Sequence, residues 1–137
     1  MPPSSIRFDL PVPDVETQEF WDAAARGRLL LKRCGACGRA HFYPRPFCPH
    51  CWSSQVTWEQ ASGRARLYTY SVVHENDLPP FRDQVPYVAA IVELEEGPRM
   101  MTRVVGVEPA ALEVGMELEV AFEPIGEGFS VPVFRAA

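Results

Sequence analysis

Two pairs of cysteines constrain the fold of this chain more than any other feature of its sequence. Cys34 and Cys37 form one Cys-x-x-Cys pair, Cys48 and Cys51 form a second, and ten residues separate the pairs. Each pair can form a tight turn that directs two thiolates at one ion, and two such turns facing each other make the closed site of a zinc ribbon. A ribbon of about 30 residues cannot bury an adequate core, so the metal would be part of the fold.

Two disulfides are the main alternative to zinc, and a rubredoxin-like iron site is a second one. The longest nearly unbroken apolar run, residues 85–92, is far short of a membrane span, and residues 1–10 lack the apolar core of a signal peptide. We therefore expect a cytoplasmic protein without membrane contact, whose thiols are kept reduced and hold one structural zinc. His41 and His50 could replace a cysteine ligand, but four cysteines already complete the shell, so we expect both histidines at the surface.

Charge divides the chain into two different halves. No acidic residue occurs between Ala23 and Trp58, where six basic residues give a local charge of +6, whereas the residues from Glu59 onward carry −7. The whole chain of 137 residues has a formal charge of −5. The region around the cysteines therefore suits an anionic ligand better than the second half does.

The residues before the cysteines predict one helix, from about residue 15 to residue 26. Asp14 can accept hydrogen bonds from the first free amides, and Gly27 suits the left-handed residue that ends many helices. The apolar stripe of this helix is expected to consist of Thr17, Phe20, Trp21, Ala24 and Ala25.

Short apolar runs between turns predict strands in the rest of the chain. The 14 prolines and 9 glycines suit many short strands better than long helices. We predict two ribbon strands at 29–33 and 40–43, and five further strands at 64–74, 86–94, 99–105, 117–123 and 129–134, with a one-turn helix at 109–112. Five such strands fit a small barrel of the oligonucleotide/oligosaccharide-binding (OB) type. The expected fold is mainly β, with a segment and helix at 1–27, a rubredoxin-like zinc ribbon at 28–58 and an OB-fold barrel at 59–137.

The sequence shows few features of an enzyme that acts alone. All four cysteines are assigned to metal, and neither a Gly-x-Ser-x-Gly motif nor a phosphate-binding or dinucleotide-binding glycine motif is present. His74 and Glu75 have suitable acid–base chemistry, but they lie in a polar turn before two prolines. We expect no independent catalytic activity.

A set of ordered motifs covers about residues 14 to 135. The motif residues are Phe20, Trp21, Gly27 and Leu29, the four cysteines, Pro44-Arg45 before Cys48-Pro49, Trp58 with Ser62-Gly63, Pro86-Tyr87, Glu95-Glu96-Gly97, Gly115 and Pro132-Val133-Phe134. In this order they resemble a known family, the acyl-CoA-associated zinc-ribbon plus OB-fold proteins called domain of unknown function thirty-five. Two positions depart from the family pattern, Ala65 in place of a glycine and Tyr43 in place of a proline.

The resemblance implies a non-catalytic scaffold or accessory subunit. Its expected partner is a thiolase-like, lipid-transfer-type aldolase or hot-dog-fold hydratase protein, and it would help to bind or channel acyl-CoA thioesters. A helix of this length is marginally stable on its own, so we expect it to form part of the partner interface. One of the rings of Phe20 and Trp21 would contact the partner while the other packs on the ribbon. The alternative is that both rings lie in the core of the chain itself.

The basic residues of the first half allow two interpretations. One is a solvated surface that also compensates the net charge of about −2 on a zinc ion with four thiolates. The other is that arginine and lysine side chains bind the phosphates of CoA. The residues assigned to this second role are Lys32, Arg33, Arg39 and Arg45.

Three further functions compete with the scaffold. A zinc-ribbon and OB-fold module can bind single-stranded nucleic acid, but the predicted barrel is the acidic half, which disfavours phosphates. An independent hydrolase or transferase lacks a recognisable nucleophile and base. Electron transfer would require iron instead of zinc.

Overall fold

The computed structural model describes residues 9–137. Helix α1 (Gln18–Ala25) begins three residues later than predicted, because the Asp14 carboxylate accepts the N–H groups of Glu16 (2.9 Å) and Thr17 (3.0 Å) and holds a turn before the helix. It ends at Ala25, one residue before the predicted end. Gly27 has a φ of +77°, and the following N–H, of Arg28, donates to the Ala23 carbonyl at 2.9 Å.

The buried face of α1 consists of Phe20, Ala23 and Ala24. The prediction that Ala25 belongs to this face is wrong, because Ala25 is exposed. Ala23 and Ala24 follow Phe20 by three and four positions, a spacing that places all three residues on one face of the helix.

Three antiparallel strands form the ribbon sheet, in the order β2-β1-β3. They are β1 (Leu30–Cys34), β2 (Ala40–His41) and β3 (Val56–Gln60). The sequence did not predict β3, which pairs with the whole of β1 from Leu30↔Gln60 to Cys34↔Val56. This strand runs through residue 58, where we predicted the ribbon to end. The division of the chain at residues 27 and 58 stays a prediction.

Five strands close into a barrel, as predicted, and their order in it is β4-β5-β6-β8-β7. The barrel closes because β4 pairs with β7 at Ala65↔Leu118, and all pairings are antiparallel except the contact of β6 with β8. A single turn of 3₁₀-helix (Pro109–Ala111) precedes β7, and another (Phe81–Asp83), which was not predicted, precedes β5. The strands are β4 (Arg64–Val73), β5 (Tyr87–Leu94), β6 (Arg99–Val104), β7 (Glu117–Gly126) and β8 (Phe129–Ala136).

One apolar core runs from the helix through the ribbon into the barrel. Leu31 of the ribbon and Phe134 of the barrel are both fully buried and belong to the same cluster. The ribbon joins the barrel where Ala61 N–H donates to the Leu29 carbonyl at 2.8 Å. Within residues 9–137, no helix has the length and apolar character needed to span a membrane.

Candidate metal centre and its surroundings

The two cysteine pairs lie in two turns with the same backbone hydrogen bonds. Cys34 N–H donates to the Arg39 carbonyl and Cys48 N–H to the Ser53 carbonyl, both at 2.8 Å. The residue after each pair closes the turn by donating to the carbonyl of the first cysteine, at 3.0 Å for Gly38 and 2.8 Å for Trp52. The chain therefore builds two equivalent knuckles that face each other.

The four sulfur atoms converge on one point. The Sγ atoms of Cys34 and Cys51 are 3.6 Å apart, those of Cys37 and Cys48 are 3.7 Å apart, and all four lie within 4.8 Å of one another. A tetrahedral zinc ion with Zn–S bonds of about 2.3 Å separates its thiolates by about 3.8 Å. A disulfide requires sulfurs about 2.05 Å apart. The disulfide alternative is thereby wrong, and the donor set fits zinc.

Four thiols so close together cannot all ionise without a cation. The Cys37 N–H, with burial opposing and the Ala36 N–H assisting, lowers the pKa of the Cys34 thiol to about 6. The Ser53 N–H lowers the pKa of the Cys51 thiol, but burial and the thiols of Cys34, Cys37 and Cys48 together outweigh it and raise this pKa to about 11. A divalent ion removes this conflict by stabilising all four thiolates, and the shell that results leaves no position for water or substrate.

The two ribbon histidines lie outside the sulfur cluster and differ in burial. His50 is exposed, as predicted, and its Nδ1 lies 3.3 Å from Nη1 of Arg39. The prediction of a surface position is wrong for His41, which is 3% exposed and has no hydrogen-bond partner at either ring nitrogen. Burial, followed by the charges of His50, Lys32 and Arg45, lowers the pKa of His41 below that of a free imidazole.

The four basic residues assigned to CoA phosphates have different surroundings. Arg33 donates two hydrogen bonds to the carboxylate of Glu59, at 2.8 and 2.9 Å. Lys32 is 9% exposed and its ammonium lies 4.5 Å from the ring centroid of Trp58. Arg39 and Arg45 are exposed. The geometry therefore leaves Arg39 and Arg45 more available to an external anion than Lys32 and Arg33.

A cleft of about 500 Å³ separates the ribbon from the turn between β5 and β6. Arg39 and His50 line it on the ribbon side, and Glu93 and Arg99 line it on the barrel side. Arg99 donates to Glu93 at 3.2 Å, and Glu96, the second carboxylate that lines the cleft, accepts the N–H of Ser62 at 2.8 Å. Sequence reasoning missed this cleft because its two walls lie more than forty residues apart in the chain.

The two adjacent aromatic residues of α1 have different surroundings. Phe20 is 1% exposed, and its ring centroid lies 5.3 Å from Tyr43 and 5.6 Å from Phe42. Trp21 is half-buried and contacts Phe129 of β8, with ring centroids 6.1 Å apart. Phe20 therefore offers almost no surface to a partner, whereas part of Trp21 stays accessible.

Comparison with known proteins matches both parts of the chain to one family. Residues 21–57 match the ChsH2 rubredoxin-like zinc ribbon domain, and residues 58–123 match the ChsH2 C-terminal OB-fold domain. A DUF35 domain-containing scaffold protein of Methanocaldococcus jannaschii is 42% identical over 100 residues, which cover 72% of this chain and 70% of that protein. The chain belongs to the DUF35 family. The ribbon match and the four converging sulfurs confirm one structural zinc.

Two further similarities are to proteins whose names describe enzyme subunits or complexes. A probable enoyl-CoA hydratase alpha subunit of Thermomonospora curvata is 40% identical over 119 residues. Those residues cover 86% of this chain but 37% of that protein, so the chain spans little more than a third of the relative's length. A solved structure described as the Ltp2-ChsH2(DUF35) aldolase is 35% identical, with a TM-score of 0.81 and coverage of 93% of this chain and 98% of the matched chain.

Proposed function

We propose that this chain is a non-catalytic accessory subunit that binds a thiolase-, aldolase- or hydratase-like enzyme and helps to bind its acyl-CoA thioester in the cytoplasm. The observation that carries the proposal is the alignment of nearly the whole chain with the DUF35 chain of an aldolase structure. The named relatives, a scaffold protein and a hydratase subunit, support the same class of role.

The chemistry of the described residues also favours a supporting role. The four cysteines are consumed by the metal shell, which has no open position for a reacting water. His74 and Glu75 are exposed in the loop after β4, where bulk water surrounds them. An acyl-transfer enzyme needs a nucleophile held beside a base, and these residues do not supply that arrangement.

The CoA part of the proposal rests on Arg39 and Arg45. Both are exposed on a segment without carboxylates, and Arg39 borders the cleft between the ribbon and the barrel. A guanidinium can donate two parallel hydrogen bonds to one phosphate, which suits the phosphates of the CoA nucleotide. Lys32 and Arg33 are adjacent on β1 and therefore point to opposite faces of the ribbon sheet, where they contact Trp58 and Glu59.

The contact with the partner enzyme is proposed to include the accessible part of Trp21. Its ring bridges α1 and the barrel at Phe129, so a partner contacting it would contact both halves of the chain. Phe20 supports this position from the ribbon side.

A pull-down with the tagged, zinc-loaded chain from native lysate tests the proposal. We expect recovery of an enzyme identified by mass spectrometry as thiolase-, aldolase- or hydratase-like, and competition by excess untagged chain. The purified chain should not turn over acyl-CoA esters, whereas the recovered complex should. Robust turnover by the chain alone, abolished by His74→Gln or Glu75→Gln, would contradict the assignment.

Titration of CoA into the recovered complex tests the phosphate contacts. The double variant Arg39→Gln/Arg45→Gln should bind CoA at least about tenfold more weakly, since charge-assisted hydrogen bonds contribute on the order of 1.5–3 kcal/mol. Arg66→Gln, which removes an exposed arginine from the barrel, serves as the matched control. Equal losses in both variants would indicate a general electrostatic effect and not a phosphate site.

A further inference from the structure

The two knuckles differ at one equivalent position. Gly38 follows the first cysteine pair and has a φ of +79°, while Trp52 follows the second pair and has a φ of +67°. Both residues close their turn with the same N–H to carbonyl hydrogen bond. The left-handed conformation costs glycine little, but a residue with a large side chain is strained in it. The second knuckle therefore carries a bulky residue where its turn is best served by glycine.

Packing within the chain does not compensate for this strain. The Trp52 side chain is 74% exposed, and its ring stacks on Phe47, with centroids 5.2 Å apart and planes inclined by 16°. This pair forms a stacked aromatic surface at the second knuckle, which we call the knuckle platform. Strain without intramolecular burial is typical of residues that act in recognition, where the ring becomes buried on binding.

Charge identifies the kind of surface that the platform fits. The segment from residue 23 to residue 58 contains six basic residues and no acidic one. A zinc ion with four thiolates carries a net charge of about −2, so the net charge of the ribbon stays positive. An occupant that buries the Trp52 ring and complements this charge needs an apolar pocket bordered by carboxylates.

We propose that the knuckle platform, Trp52 supported by Phe47, is an anchor that inserts into a carboxylate-bordered apolar pocket on the partner enzyme. The inference rests on the proposed accessory function and adds a contact distinct from Trp21 on α1. The partner enzyme is the occupant because the proposed function requires a protein surface, and the platform lies on the basic half of the chain.

Replacement of Trp52 by glycine gives a direct test, because the variant restores the residue that the turn favours. Trp52→Gly should keep one zinc per chain and melt at the same temperature as the parent or higher. Its affinity for the enzyme recovered in the pull-down, purified and measured by calorimetry, should fall about 30-fold, as expected for a central buried aromatic residue. Val114→Ala, which trims a 68% exposed side chain on the barrel, should bind like the parent.

Several outcomes would overturn the proposal. Loss of zinc or a clearly lower melting temperature in Trp52→Gly would show that the ring is structural. Unchanged affinity would remove the platform from the interface and leave the accessory function intact, whereas failure of the parent chain to recover any acyl-CoA enzyme would overturn both. Sedimentation showing that the isolated chain dimerises through Trp52 would assign the platform to a second copy. Quenching of Trp52 fluorescence by CoA or by a short oligonucleotide would assign it to a nucleotide base.

Discussion

Gly63→Ala should destabilise the barrel by both backbone strain and steric overlap. Gly63 lies just before β4 with a φ of +87°, and a Cβ at this position would lie 2.7 Å from Cγ1 of Val120 on β7. The Gly63 carbonyl also accepts the N–H of Val120 at 2.8 Å. The backbone therefore cannot withdraw from the methyl group without lengthening a hydrogen bond that joins the ribbon connection to the barrel.

The two effects can be estimated separately. Alanine in a left-handed conformation costs about 1–2 kcal/mol. Overpacking of a well-filled site adds about 1–3 kcal/mol. We therefore expect Gly63→Ala to lower the free energy of unfolding by about 2–5 kcal/mol. Gly106→Ala is the matched control, because Gly106 has a φ of +71° and no atom within 4 Å of its Cβ position, so only the first cost applies.

Urea unfolding followed by far-ultraviolet circular dichroism, with zinc in excess, measures these changes. Val120→Ala in the Gly63→Ala background should recover more than about 0.5 kcal/mol relative to the sum of the single changes, because it removes the contacted methyl group. Equal losses in Gly63→Ala and Gly106→Ala, or additive behaviour of the double variant, would refute the contact argument.

Three other predictions follow from the ribbon and the helix. Cys48→Ser should lose the metal and lower the melting temperature, and elemental analysis showing one zinc per chain in this variant would contradict the four-sulfur site. His41→Phe should raise stability by about 1 kcal/mol at pH 7.5, since it removes buried nitrogens without partners. Folding lowers the pKa of His41, so as the pH falls the unfolded chain takes up this proton before the folded chain does. Below the ordinary histidine pKa the parent should therefore lose more stability than His41→Phe. Equal pH dependence of the two proteins in urea unfolding would disprove this. Phe20→Ala should lower the free energy of unfolding by about 3 kcal/mol, because the ring is buried. Trp21→Ala should lower it less but should weaken the enzyme complex at matched folded concentration. Unchanged complex formation would exclude Trp21 from the interface.

The metal centre could be predicted from sequence because its chemistry depends on local spacing. Cys34 and Cys37 lie in one turn, as do Cys48 and Cys51, and turn geometry alone directs each pair of thiolates to one side. The barrel could be predicted because its strands alternate clearly between apolar and polar residues, as in the run from Leu118 to Glu123.

Features that depend on distant pairing could not be predicted in this way. The strand β3 (Val56–Gln60) is at most half-buried, and its apolar–polar alternation extends only from Val56 to Glu59, a run too short to distinguish a strand from a loop. Without β3, nothing in the sequence pairs Arg33 with Glu59, although that ion pair engages one of the four basic residues assigned to the CoA phosphates. The strand that contains His41 and its partner β1 were both predicted, but the strand pattern does not show that the rest of the fold buries the His41 side chain.

Helix α1 explains how the metal can influence the barrel. Adjacent residues on a helix point about 100° apart, so Phe20 and Trp21 face different neighbours. Phe20 packs on Phe42 and Tyr43, in the segment between the two knuckles, while Trp21 packs on Phe129 of the barrel. The zinc ion fixes the knuckles, the knuckles fix the segment under Phe20, and the helix transmits that position to the barrel. A subunit that acts by positioning other proteins requires this rigidity, because its binding surfaces must keep a constant separation.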